Sequence, residues 1–101
     1  MPFVVKKAAY DVSLDSDVVV KIERPLSPHA VILEVSVKTT VATDVLIESS
    51  EDDEHYFLAD KGESVTEFHA GYFCTRPYVR ITIKAVAGAK CDYLIPGADL
   101  S

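Results

Sequence analysis

Three groups of residues in this chain could do chemistry: a run of acids, three histidines and two cysteines. The run is Ser49-Ser50-Glu51-Asp52-Asp53-Glu54-His55-Tyr56-Phe57, four consecutive carboxylates followed by a histidine. Hard cations take several oxygen ligands, so Glu51, Asp52 and Asp53, with Ser50 and Glu54 beside them, are the candidate ligands of a calcium ion. The run has no glycine and lacks the D-x-D-x-D-G spacing that lets a backbone wrap an ion. Adjacent carboxylates repel and seek water, and Ser, Asp and Glu form turns by local hydrogen bonding, so a solvated hairpin loop is the plainer expectation. Ser49 and Ser50, followed by acids, also fit what an acidophilic kinase takes.

His29, His55 and His69 lie on separate segments with no His-x-His or His/Cys spacing, so they read as surface or packing residues. His69 could approach Glu67 or Cys74 in "EFHAGYFC", but nothing in the sequence activates Cys74 as a nucleophile. Cys74 and Cys91 form no C-x-x-C pair and read as small buried hydrophobes; a disulfide between them stays open. No G-x-S-x-G, phosphate-binding loop or dinucleotide fingerprint occurs, and four glycines leave little material for backbone cradles. No enzymatic activity is expected, and no cofactor beyond the calcium just considered. Tyr56, Tyr72 and Tyr78 fall near loops or outward positions, where tyrosine suits sugar stacking; they are the candidate ligand-binding residues of a carbohydrate module.

These residues need a scaffold, and its nature is written in the alternation. Val, Ile and Thr supply 26 of the 101 residues, in short runs broken by Gly, Pro, Asp and Ser. Period-2 patterning predicts strands near 3–10, 17–24, 30–39, 43–49, 55–60, 64–70, 77–86 and 91–95, with no helical stripe. Val18, Val20 and Ile22 share one face; so do Val35 and Val37, and Val79, Ile81, Ile83 and Ala85. A hairpin is expected in which Ala85 pairs with Cys91, Ile83 with Tyr93 and Ile81 with Ile95, leaving Leu94 outward. Arg24-Pro25-Leu26-Ser27-Pro28-His29 should be a stiff crossover, and Pro96-Gly97 should end the last strand. Strands with one wet face and no helices must be covered by another sheet. The expected fold is all-β: a single-domain, two-layer antiparallel β-sandwich of about eight strands, jelly-roll or Greek-key in type.

Two strands break the pattern. Leu46 makes both faces of Val45-Leu46-Ile47 apolar, and Leu58 stands beside Phe57, so Leu46 and Leu58 are the candidate subunit interface. The net charge of −6 disfavours a nucleic-acid partner. No apolar run approaches the ~20 residues of a membrane span, and "MPFVVKKAAYDV" is not ordered like a signal peptide. A cytoplasmic protein, or one assembled into a particle, is expected.

Residues 45–95 carry a further pattern: a strand ending in serine (Val45 to Ser49), an acidic turn (Asp52, Asp53), aromatics (Tyr56, Phe57), then Arg76-Pro77-Tyr78-Val79-Arg80-Ile81. It resembles the galactose-binding-like, discoidin-type sandwiches. Here a proline separates Arg76 from Tyr78, "EDDE" replaces an Asp-Gly turn, and the tryptophan common after that turn is missing. The resemblance implies a β-sandwich and, by likeness to small versions in phage and virus structural proteins, an oligomeric decoration, adaptor or fibre module. The expected function is therefore non-catalytic protein–protein association in a homo-oligomer or larger virion-type assembly. A carbohydrate-binding module, calcium-assisted or not, is the alternative.

Overall fold

The computed structural model describes the backbone of residues 3–5, 9–23, 31–74 and 76–99, and the side chains of 9–22, 34–71 and 76–97. The Arg24–His29 crossover, and His29 with it, lies outside the described residues. The described chain is all-β, with seven strands: β1 (Phe3–Val5), β2 (Ala9–Ser13), β3 (Val18–Glu23), β4 (Val31–Ser50), β5 (Tyr56–Cys74), β6 (Tyr78–Ile83) and β7 (Lys90–Asp99). All pair antiparallel in one curled sheet of order β1-β7-β4-β6-β3, with β2 also on β7 and β5 along the other side of β4.

The expected breaks near residues 40–42 and 61–63 are bends within continuous strands. One strand of 20 residues therefore replaces two, and β5 is a single strand of 19. Along one side β4 hands over its neighbour: residues 32–39 pair with β7, and 45–50 pair with β6. On the other side it follows β5 throughout, with register shifts between Lys38 and Thr43, Thr43 and Val45, and Ile47 and Glu48. Two four-stranded halves result, β2-β7-β4-β5 and β3-β6-β4-β5, each holding one end of the long hairpin.

The bend is sharp. A straight strand would carry residues 62 and 68 about 20 Å apart. Instead Phe68 packs so closely on Gly62 that a Cβ there would lie 2.5 Å from its ring. Polar groups freed at the corner find partners: Ser64, at φ 49°, donates its N–H to Asp44 Oδ1 at 3.0 Å, and Thr43 Oγ1 donates to the Lys84 carbonyl at 2.7 Å. Bending turns the inner faces toward a common core in which Val35, Val37, Cys91 and Leu94 of one half join Ile22, Val45, Ile47, Val79, Ile81 and Ile83 of the other. Each such side chain contributes roughly 1.5–3 kcal/mol by leaving water.

The β6–β7 hairpin is not formed. β6 lies between β3 and β4, and β7 between β4 and β1/β2. Alternation assigns a residue to a face but not a strand to a neighbour, and here the link crosses from one half to the other. It runs beside the β2–β3 link: the Leu14 N–H donates to the Ala89 carbonyl at 2.9 Å, and the Val86 N–H donates to the Leu14 carbonyl at 2.8 Å. Ala85 leaves the sheet and is exposed, and Gly88 supplies the φ of 79° that the turn requires.

Leu94, expected outward, is fully buried, because Asp92 forms a bulge. Lys38 pairs with Tyr93 but Thr39 with Cys91, so one residue is skipped and the strand reverses which parity faces the core. Asp11, at φ 51°, accompanies it on β2. Nor does Pro96-Gly97 end β7. Gly97 to Asp99 pair with β1, and Pro96 sits at the junction between the β1 and β2 registers.

The corner yields a prediction. Gly62→Ala drives a methyl into Phe68 and Val65 and should lower stability by about 1–3 kcal/mol in urea denaturation. Gly71→Ala, where a Cβ meets only Glu34 at an ordinary 3.6 Å, should be tolerated. Equal effects at the two sites would mean that the Phe68 contact does not fix the bend.

Candidate functional site

Residues 51–55 connect Ser50 of β4 to Tyr56 of β5, which pair with one another, so the acidic run is a five-residue hairpin loop. Its order comes from two acceptors. The buried Ser50 Oγ receives the N–H groups of Asp52 and Asp53 at 3.2 and 3.0 Å. Asp52 Oδ1 receives those of Glu54 and His55, both at 2.9 Å, and its Oδ2 lies 2.7 Å from His55 Nδ1. The His55 backbone N–H, then its ring, then the Glu54 N–H hold the Asp52 carboxyl well below the usual carboxylate range. Asp53 takes φ 62°, which turns its carboxylate the other way.

Asp53 reaches the outer face of the sheet. It accepts hydrogen bonds from the Tyr56 hydroxyl and, at 3.2 Å, from Lys21 Nζ. The Tyr56 ring is covered by the Arg80 guanidinium, 4.1 Å from its centroid, and Arg80 forks onto Glu48 through contacts of 3.1–3.2 Å. Strand register explains the cluster, since Lys21, Arg80 and Glu48 stand side by side on β3, β6 and β4. Burial, then the bond to Asp53, pushes the Tyr56 phenol up to about 12. The Tyr56 bond, then Lys21, lowers Asp53.

Tyr56 and Tyr78 come together, flanking Ser50 in one cross-strand row. Stacking on Arg80 occupies a face of the Tyr56 ring that a sugar would use. Tyr72 belongs to the other half, opposite Leu33, and its side chain lies outside the described residues. Glu51, Asp52 and Asp53 do not converge: Glu51 lies 3.8 Å from Arg76 Nε, Asp52 serves the loop, and Asp53 the sheet face. Among the described residues, the side chains whose ligand atoms approach within 4.8 Å of one another are Asp52, Glu54 and His55, all exposed. These are the residues that could hold a cation, although Asp52 Oδ1 already accepts two amides.

Leu46 and Leu58 share the outer face of the β4–β5 ribbon. Leu46 is half-buried in a row with Thr82 and Val19, while Leu58, 59% exposed, stands opposite Glu48. Phe57, 58% exposed, carries the Arg76 guanidinium 5.2 Å above its ring, and Arg76 also donates to Ser49 Oγ at 3.0 Å. An open groove of about 420 Å³ runs between Phe57, Arg76 and the loop residues Glu51, Asp52 and His55. Sequence reading missed Lys21, Arg76 and Arg80 as participants. Their outward positions were legible, but their meeting depends on strand order. In the other half, His69 Nδ1 lies 3.1 Å from Ser36 Oγ. Cys91 is a fully buried free thiol whose pKa burial raises, a poor nucleophile; the Cys74 side chain lies outside the described residues.

Comparison with family models, with curated proteins and with solved structures finds no match for the chain. The geometry therefore carries the functional argument.

Two titrations follow from the loop. A carboxyl held below its ordinary value adds stability above about pH 4, and that stability disappears as the pH falls through the lowered value. Asp52→Asn should thus lower the melting temperature near neutrality, with the gap closing in acid; a pH-independent gap would show that the charge is not what matters. For Tyr56 the sign is reversed, because raising an acid's value in the folded state adds stability below about pH 10 that is lost as the pH climbs toward the raised value. Phenolate absorbance should reveal one tyrosine titrating near 12, absent in Tyr56→Phe.

Proposed function

We propose that the chain is a non-catalytic module that works by associating with further copies of itself, as a structural component of a virion-type or similar assembly. The observation that carries this reading is a set of apolar side chains on the outer face of β3, β4 and β5. There Val19, 51% exposed, Leu46 and Leu58 occupy positions that a monomer with only one wet face would fill with polar side chains. Charged residues stand among and around them: Lys61 opposite Leu46, Glu48 with Arg80 in the row of Leu58, and Lys21 with Asp53. Apolar contacts mixed with polar ones are usual in interfaces between separately folded chains.

In the same reading the curled sheet is a two-layer jelly roll. Its halves, β2-β7-β4-β5 and β3-β6-β4-β5, are visited alternately by the chain, and two bent strands stand where eight separate ones were expected. Jelly rolls are common in capsid and lectin domains, an analogy of architecture alone. The resemblance of residues 45–95 to galactose-binding-like sandwiches points to the same pair of roles. Between them, the stacking of Tyr56 on Arg80 and the internal use of the Asp52 and Asp53 carboxylates favour association over a calcium-assisted carbohydrate site.

Light scattering across a concentration series tests the reading. The wild-type mass should exceed the 11.1 kDa of one chain and be indifferent to calcium or chelator. Leu58→Asp should weaken association at least tenfold without lowering the melting temperature. A wild-type protein monomeric at its solubility limit would overturn association, and a calcium-dependent shift in melting temperature with a saccharide would establish the alternative.

A further inference from the structure

The open edge of β5 is protected along one part and unprotected along the next. Residues 56–66 carry Asp60, Lys61 and Glu63, three register shifts against β4 and the left-handed Ser64, the features by which sheets prevent edge-to-edge pairing. Residues 67–74 carry none of these. Glu67-Phe68-His69-Ala70-Gly71-Tyr72-Phe73-Cys74 pairs with Cys74↔Val31 through Glu67↔Lys38 in unbroken register, has a single acid, and meets no strand on its other side among the described residues. The backbone donors and acceptors of such an edge are open to water, and an extended strand is the protein partner that can take them up in one continuous ladder.

We propose that this segment pairs antiparallel with the same segment of a second copy, joining the two β2-β7-β4-β5 halves into one continuous sheet. The proposal rests on the association reading only in requiring that copies of the chain meet. It adds a contact separate from the Leu46–Leu58 face.

Charge on the outer face selects both the occupant and the register. The Glu34 side chain leans over Gly71, with Cγ and Oε1 3.6 and 3.9 Å from where a Cβ would stand, and it has no ion pair or hydrogen bond of its own among the described residues. An open depression of about 300 Å³ lies here, lined by Glu34, Ser36, His69 and Gly71. Strands related by a twofold axis normal to the sheet keep their faces, so residues of like parity must oppose one another.

With Ala70 opposite its own copy, His69 of the second copy falls opposite Gly71. The missing side chain then lets Glu34 reach that imidazole. The row across four strands reads Glu34, Gly71, then His69 and Ser36 of the second copy, and symmetry repeats it in reverse. His69 meets Ser36 through Nδ1, so Nε2 is the ring nitrogen that the Glu34 carboxylate of the other copy would take. In the same register, position 68 falls opposite position 72 of the second copy. Sliding one register either way brings like charges together. Gly71 opposite Gly71 sets the two Glu34 carboxylates facing each other, and His69 opposite His69 sets Glu67 against Gly71 and the Glu34 leaning over it.

The test uses the full chain carrying Leu58→Asp, which removes the face contact, and follows it by sedimentation velocity. That protein should be a dimer. Adding Glu34→Lys should weaken the dimer at least tenfold with the melting temperature unchanged, and adding His69→Glu as well should restore it by reversing the pair. Independently, Ala70→Cys in a Cys74→Ser background should form an interchain disulfide on oxidation, because directly opposed residues lie within the Cα separation a disulfide spans. A dimer indifferent to Glu34→Lys, or no cross-link at residue 70, would overturn the edge contact while leaving association intact. A monomer in the Leu58→Asp protein whose wild-type parent is oligomeric would do the same, whereas a monomeric wild type would overturn both.

Discussion

The bend in the β4–β5 hairpin is the constraint on which the rest depends. β4 is the one strand that touches both halves of the sheet on its inner side, pairing with β7 through Thr39 and with β6 from Val45. Were it straight, β6 and β7 would lie in one flat sheet, and Val35 and Ile47 would stand about 40 Å apart on a single face with nothing to cover it. The turn between Thr39 and Asp44 makes them one core, and it is made by backbone irregularity rather than by a loop. Four residues of β4 oppose one of β5 there, Gly62 leaves room for the Phe68 ring, and Asp44 and Thr43 receive or provide the hydrogen bonds that the interrupted ladder leaves open.

That device also explains what sequence reading recovered and what it did not. Faces were legible wherever alternation runs unbroken: Val35 and Val37 inward against Glu34 and Lys38, and Val79, Ile81 and Ile83 inward against Arg80. The physical reason is that burial acts on each side chain locally. Neighbours were not legible. The self-consistent match of Ala85–Cys91, Ile83–Tyr93 and Ile81–Ile95 was a coincidence of two alternating strands, each of which could satisfy any partner with a dry face. The bulge at Asp92 was invisible for a related reason, since one skipped residue reverses parity without altering composition.

The candidate site divides along the same line. That residues 51–55 form a hairpin turn was readable from their hydrogen-bonding capacity, and the turn is held by Ser50 and Asp52 as that chemistry requires. The cluster on the sheet face, where Tyr56 lies between Asp53 and Arg80, was not readable. It brings together residues from positions 21, 48, 53, 56 and 80, and their meeting is fixed by strand order alone. A stacked tyrosine with an ion-paired carboxylate on one side and a forked arginine on the other is an internally satisfied unit that ties the loop to the sheet face.

The acids have a wider role than the local run suggests. Five aspartates accept backbone N–H groups at places where the ladder is interrupted: Asp15 from Gly88, Asp17 from Ala85, Asp44 from Ser64, Asp52 from Glu54 and His55, and Asp60 from Lys61. A chain that curls its sheet by bending long strands, and crosses between the sheet's halves in short links, exposes many unpaired amides. Short side chains with two acceptor oxygens are the economical answer. These five carboxylates are thus spread over corners and crossings as part of the folding solution. Among the described residues, this arrangement leaves apolar side chains exposed on the outer face at Val19 and Leu58, and backbone unpaired along the outer side of β5 as well as of β3.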